Sequence, residues 1–214
     1  MQPMDKKIPI TEIFKSIQGE GRFQGQPVTF VRVSGCTRKC DWCDTNYHTE
    51  KQMMTQQEVK DRIEELMCPT VVWTGGEPLM YIKEIVEIID EMILTHDHHI
   101  ETNGDLLTSK CAPLLSGFTY LCVSPKEKVV AERVFDFLEW FPTTVNSIDI
   151  KVVTDLETVG MDMLEYATML MPLSTYEIET DQLIRQRVWN YCVEHGLKYS
   201  GRLHVEIWKQ ARGK

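Results

Sequence analysis

Short apolar runs rich in β-branched residues alternate along the chain with stretches whose apolar positions recur every three or four residues. PVTFVRVSG (27–35) is predicted to be a buried strand, TQQEVKDRIEELM (55–67) a helix opened by Thr55 as N-cap, and TVVWTGG (70–76) a strand ending in a turn. IKEIVEIIDEMIL (82–94) and KVVAERVFDFLEW (128–140) have helical periodicity, whereas HHIETNG (98–104), TYLCVSP (119–125) and SIDIKVVT (147–154) have the pattern of strands running into turns. EYATMLMPL (165–173) is predicted as a sixth strand, TDQLIRQRVWNYCVEHG (180–196) as the last helix, and RLHVEIW (202–208) as a short strand after it.

No repeat, low-complexity tract or long Pro/Gly/Ser linker interrupts this alternation, so a single domain over residues 1–214 is expected. Strand–helix alternation predicts an α/β fold: a largely parallel sheet of about six strands, closed or partly closed into a barrel with right-handed crossovers. Function in such folds gathers at the C-terminal strand ends, where SGC, TGGEP, ETNG, SPK and MPLS would face one mouth.

Composition narrows the chemistry. With 214 residues and 43% hydrophobic content the chain buries a sizeable core without disulfides. The balance of 23 basic against 32 acidic residues, with no Lys/Arg-rich run, argues against nucleic acid as a partner. MQPMDKKIPITEIF has no secretory apolar run, and charges interrupt IVEIIDEMIL, so neither export nor a membrane span is expected and the cytoplasm is the expected compartment. Seven cysteines, three of them clustered, point to a metal or redox centre. Cys68, Cys111, Cys122 and Cys192 are scattered and are expected to be inert core thiols.

The cluster is Cys36-x3-Cys40-x2-Cys43 within VSGCTRKCDWCDT (33–45). A closed structural zinc site takes four ligands, commonly as two separated pairs; this segment offers three thiols, with His48 as a candidate fourth. An iron–sulfur cube held by three thiolates instead leaves one iron open to an external ligand. HDHH (96–99) resembles a metal tract but joins a helix to a strand opposite the cluster loop, so a solvated connection is expected. Met161, Met163, Met169 and Met171 are expected to be flexible core filling.

Cys36-x3-Cys40-x-Trp42-Cys43 resembles the cluster loop of radical S-adenosylmethionine (SAM) enzymes, and Gly75-Gly76-Glu77-Pro78 resembles their second motif. Together with EIFKSIQGEG (12–21), ETNG (101–104) and SPK (124–126), these segments resemble the 7-carboxy-7-deazaguanine synthase family from residue 12 to about 207. The resemblance implies an abbreviated, incomplete radical SAM barrel and a magnesium-assisted ring contraction of 6-carboxy-tetrahydropterin to 7-carboxy-7-deazaguanine. Ammonia is released in that reaction, which lies on the route to queuosine and related deazapurines. It implies a [4Fe–4S] cluster on Cys36, Cys40 and Cys43, bound SAM whose radical takes a hydrogen atom from substrate and returns it, and Mg2+ with Thr45 as a ligand. It also implies a homodimer and a low-potential electron donor such as flavodoxin or ferredoxin.

By the same resemblance SAM is contacted by Trp42, Gly75, Gly76, Glu77, Ser124, Pro125, Lys126, Met171, Pro172, Leu173 and Ser174. The glycines would admit ligand close to backbone, and Glu77 would accept a hydrogen bond from the SAM ammonium. Members often carry Gln-Pro-Ile-Ser where this chain has Met171-Pro172-Leu173-Ser174, which removes an amide at position 171. Ile17, Gln18, Gly19, Arg32, Thr74 and His204 match substrate-binding positions, with Arg32 suited to a carboxylate. Two other functions fit part of the pattern: an activase of a glycyl-radical enzyme or anaerobic ribonucleotide reductase, which shares the three-thiol loop, and a noncatalytic zinc-binding module.

Overall fold

The computed structural model describes residues 4–40, 43, 51–140, 147–209, 211 and 213. Strand β1 (Lys7–Ile17) pairs antiparallel with β2 (Pro27–Val33) on one side and with β3 (Gln52–Thr55) on the other. Beyond β2 come β4 (Thr70–Gly75), β5 (Asp97–Thr102), β6 (Tyr120–Val123), β7 (Ile148–Thr154), β8 (Met169–Pro172) and the two-residue β9 (Lys198–Tyr199), each parallel to its predecessor. The order β3-β1-β2-β4-β5-β6-β7-β8-β9 makes an open, largely parallel sheet of nine strands among the described residues. β1 and β3 are not among the predicted strands. In β1 the register slips between Ile10 and Glu12, a bulge that breaks the alternation by which a strand is recognised.

Side chains alternate across the sheet, and the two faces have different chemistry. Val31, Trp73, Ile100, Leu121, Val152 and Leu170 belong to the hydrophobic core on one face. Helices cover that face: α1 (Gln56–Glu65) contributes Val59 and Ile63, α2 (Ile82–Met92) Ile85, Ile88 and Ile89, α3 (Lys128–Trp140) Val130 and Val134, and α4 (Ile178–His195) Ile184 and Val188. Thr55 caps α1 as expected, its hydroxyl accepting from Glu58 N at 3.2 Å while its own N–H donates to Glu58 Oε2. The neighbouring positions, Arg32, Thr74, Glu101, Lys151 and Met171, face a cavity on the other side.

Loop 18–26 between β1 and β2 reaches over this concave face. It is closed by Gln18 N donating to Gln26 O and Gly25 N donating to Gln18 O, both at 2.8 Å. Arg22 extends from it to Asp149 on β7, and Gly21 N donates to Ser200 Oγ beyond β9 at 2.8 Å. The loop thus spans part of the gap that an open sheet leaves.

Four expectations are corrected. RLHVEIW contains α5 (Leu203–Trp208), a short helix; Leu203 N donates to Gly19 O, so the chain folds over loop 18–26 and only Val205 is buried, whereas Ile207 and Trp208 are exposed. HDHH is not a solvated connection: Asp97 opens β5, His98 and His99 are buried, and Trp73 Nε1 donates to His98 Nδ1 at 3.1 Å. Met163, Met169 and Met171 are buried as expected, whereas Met161 is exposed. Of the scattered thiols, Cys68, Cys122 and Cys192 are buried and Cys111 is half-buried, its Sγ donating to Leu106 O.

Candidate functional site

A cavity of about 260 Å³ opens on the concave face where the C-terminal ends of the strands converge. Cys36, Cys40 and Cys43 line one part of it; Ile17, Gln18, Gly19, Arg32, Thr74 and His204 line it too. Trp42, Thr45 and His48 lie outside the described residues. Burial raises the Cys40 thiol above its usual range, against the pull of Lys126, so an apo thiol here stays protonated until a metal displaces the proton. The donor set of three thiols on one loop fits an iron–sulfur cluster, which takes thiolates at separate corners. Among the described residues no three metal-binding side chains close around a single ion.

The glycine pair after β4 is dictated by backbone packing. A Cβ on Gly76 would stand 1.7 Å from Gly35 O, and one on Gly75 would stand 2.3 Å from Val33 O. Gly76 N donates to Val33 O and Glu77 N to Gly35 O, which stitches the end of β4 to the segment leading into Cys36. Both glycines still line the cavity, but the close approach that excludes a side chain is made by protein.

Glu77 lies beneath that surface. Its side chain is fully buried; Oε1 accepts from Leu79 N at 2.9 Å and Thr102 Oγ1 at 2.6 Å, and Oε2 accepts from Asn103 N at 2.8 Å. Burial raises its carboxyl despite these donors. The geometry makes Glu77 the tie between the glycine turn and the ETNG turn after β5, with both oxygens engaged inside the protein.

The same cavity is lined by a buried ion network that motif reading did not single out. Lys151 Nζ donates to Glu20 Oε2 at 2.7 Å and Glu101 Oε2 at 2.9 Å, and the lysine is 2% exposed. Burial works against its charge, but the two carboxylates outweigh it and hold the ammonium well above the usual lysine range. Cys122, also beside it, has its thiol pushed up by burial and is neutral near pH 7, so the holding falls to the carboxylates. Burial pushes the Glu20 carboxyl up, but Lys151, Arg202 and His204 pull it well below the ordinary range. Glu20 Oε1 lies 3.3 Å from Arg202 Nε and 3.7 Å from His204 Nε2, while Glu101 Oε1 accepts from Gln18 Nε2 at 3.3 Å. Signals were present in the sequence: Glu20 sits in QGEG, Glu101 in ETNG, and Lys151 is a lysine amid an apolar strand.

The remaining expected positions divide by depth. Arg32 lines the cavity and gives its Nε–H to Glu12 Oε1 at 2.9 Å, which orients the guanidinium. Gly19 packs against His204 so closely that a Cβ would fall 2.2 Å from Nδ1. Ser124 and Lys126 line the cavity, joined by Lys126 Nζ donating to Ser124 Oγ at 2.9 Å, whereas Pro125 is buried between them. In MPLS only Met171 lines the cavity; Pro172 is buried, Leu173 is half-buried, and Ser174 Oγ donates to Asp181 Oδ2 at 2.7 Å.

The Radical SAM superfamily description matches residues 30–127. The chain is 31% identical over 242 residues to 7-carboxy-7-deazaguanine synthase of Halobacterium salinarum, covering 95% of this chain and 91% of that one. It is 30% identical over 232 residues to the 7-carboxy-7-deazaguanine synthase of Rhodopirellula baltica, covering 98% and 90%. Among solved structures it is similar in fold to QueE from Escherichia coli, with a TM-score of 0.58 and 17% identity over 92% of this chain and 95% of that chain.

Proposed function

The chain belongs to the 7-carboxy-7-deazaguanine synthase family of radical SAM enzymes, and from that premise we propose that its cavity contracts 6-carboxy-tetrahydropterin to 7-carboxy-7-deazaguanine with release of ammonia. Family membership implies a [4Fe–4S] cluster and SAM; when bound, they supply hydrogen-atom abstraction from the substrate. The observation that carries the reading is that three thiols and an ion network of Lys151 and Arg202 with Glu20 and Glu101 share one cavity.

Each residue then has a physical task. Cys36, Cys40 and Cys43 would hold the cluster, with Gly75, Gly76, Ser124, Lys126 and Met171 around SAM. A pterin presents ring N–H and amino donors along one edge, which match a carboxylate; Glu101 on the cavity wall supplies one, oriented by Lys151 and Gln18. The substrate carboxylate needs a cation, and Arg32, steadied by Glu12, lines the same cavity. His204, packed on Gly19, closes that end. Lys151 and Asn103 are buried, so their polar atoms exchange little with bulk water and stay fixed on their protein partners.

Other parts of the proposal rest on family resemblance: Mg2+ with Thr45 as a ligand, flavodoxin or ferredoxin as donor, a cytoplasmic location and a homodimer. Among the described residues no helix is long and apolar enough to cross a membrane. Ile178, Trp189 and Val193 lie on one exposed stripe of α4, a surface of the kind that a second copy covers. The relatives favour neither an activase nor a zinc module.

Anaerobic reconstitution with iron and sulfide, then addition of SAM, reductant, Mg2+ and 6-carboxy-tetrahydropterin, tests the reading. The deazaguanine is expected to form with many products per SAM consumed. Stoichiometric 5′-deoxyadenosine without ring-contracted product would overturn it. Cys40→Ala is expected to lose both iron and turnover, and Cys111→Ala to keep both.

A further inference from the structure

We propose that Asn103 is a positioning residue for the iron–sulfur cluster, holding Cys36 through an N–H···S hydrogen bond that sets how readily the bound cluster accepts an electron. The inference rests on the reading of Cys36, Cys40 and Cys43 as cluster ligands.

Asn103 follows β5, and its side-chain amide has one orientation consistent with its surroundings. Oδ1 accepts from Asp105 N at 2.9 Å, so Nδ2 is the end that faces the thiol loop. Nδ2 donates to Thr37 Oγ1 at 2.9 Å and lies 3.7 Å from Cys36 Sγ, within reach of an N–H···S bond. The backbone beneath is fixed as well, because Asn103 N donates to the buried Glu77 carboxylate and Thr102 Oγ1 donates to the same group. At 7% exposure, Asn103 has little water to exchange these bonds with.

The next acidic residue locks the other half of the thiol loop. Asp105 accepts from Thr37 Oγ1 at 2.8 Å and from Arg38 Nε at 2.7 Å, and Glu127 takes Arg38 Nη1. Arg38 N in turn donates to Cys36 Sγ at 3.4 Å. A segment remote in sequence therefore clamps the loop between Cys36 and Cys40 and delivers a donor to one sulfur. A cluster that gains an electron gains negative charge on its sulfurs, so a donor aimed at one of them stabilises the reduced form and raises the reduction potential.

The test compares Asn103→Leu, which keeps size without donors, Asn103→Asp, which keeps shape and adds charge, and Thr37→Val, which removes only the hydroxyl partner. Each is reconstituted anaerobically; iron content, the electron paramagnetic resonance spectrum of the reduced cluster and its midpoint potential are read without substrate. The expected order of potential is unaltered protein, then Asn103→Leu, then Asn103→Asp, with an altered spectrum in both Asn103 variants and Thr37→Val close to the unaltered protein. If whichever Asn103 variant loads iron has the potential and spectrum of the unaltered protein, the proposal is overturned. If neither loads, Asn103 holds the loop without tuning the cluster, which also overturns it. Failure of the unaltered protein to take up iron would instead overturn the cluster reading beneath.

Discussion

Arg22 donates Nε–H and Nη2–H to the two carboxylate oxygens of Asp149, at 2.8 and 3.0 Å, and so fastens loop 18–26 to β7. Asp149 is fully buried and also accepts from Tyr120 Oη, Thr168 Oγ1 and Lys198 Nζ. Burial raises its carboxyl, and Arg22 and Lys198 outweigh burial and lower it. Asp149→Asn keeps the shape but turns an amide N–H₂ toward donors. It is expected to cost about 2–3 kcal/mol in urea unfolding of the apo protein, less than the loss of a wholly buried pair because both cations are part-exposed. Arg22→Gln is expected to cost less, since Lys198 remains.

Glu77 separates a fold role from a ligand role. Glu77→Gln gives two donors where Leu79 N, Thr102 Oγ1 and Asn103 N already donate. The expected cost is about 2 kcal/mol, a fall in Tm of roughly 4–8 °C for a chain of this size. Calorimetry on apo protein checks it; an unchanged Tm without SAM would return Glu77 to the role of ligand contact.

The buried histidines make the fold acid-labile above the carboxylate range. Burial lowers His98 to about 3 and His99 to about 4 from the ordinary 6.5. Both are neutral when folded, while the unfolded chain takes up protons as pH falls below about 6.5. Their stability is therefore complete above that pH and is lost progressively toward pH 4 and 3. At pH 5 each is expected to account for about 2 kcal/mol of lost stability. A double variant, His98→Asn with His99→Phe, the latter able to stack on Phe23 and Tyr120, is expected to flatten the slope between pH 7 and 5 in denaturant titrations.

Lys151→Met removes the strongest of the groups that hold Glu20 ionised, leaving Arg202 and His204 beside it. The Glu20 carboxyl is then raised, while Glu101 loses its orienting partner. A fall in kcat/KM of about 10- to 100-fold at pH 7, or about 1.4–2.8 kcal/mol, is expected, carried mainly by KM. Because the added proton leaves at higher pH, activity is expected to recover as pH rises. A pH profile parallel to that of the unaltered enzyme would show that Lys151 acts only in packing.

The layered α/β arrangement was legible because parallel strands and their helices announce themselves by local period: α3 lies on the 128–140 stretch read from its spacing, and Thr55 caps α1. The grouping of Cys36, Cys40 and Cys43 on one cavity was legible because the three thiols fall within eight residues, and the glycine turn was legible as a close backbone approach, although Val33 and Gly35 rather than a ligand make that approach. RLHVEIW misled for a physical reason: its alternation suits a strand, but the chain after β9 folds over loop 18–26, and a helical turn satisfies its backbone there.

What the sequence alone determined was the run of parallel strands β2 and β4 to β8, the helices α1 to α4, and which short motifs stand at those strand ends, since backbone preference and hydrophobic period act over a few residues. What only tertiary structure decided was the partner of each charge. Lys151 meets Glu20 and Glu101, Glu77 turns inward to Asn103, and His98 and His99 are buried in a strand. Desolvation and electrostatic pairing depend on distance in space, and no local pattern encodes which residues, far apart in the chain, will share a dry interior.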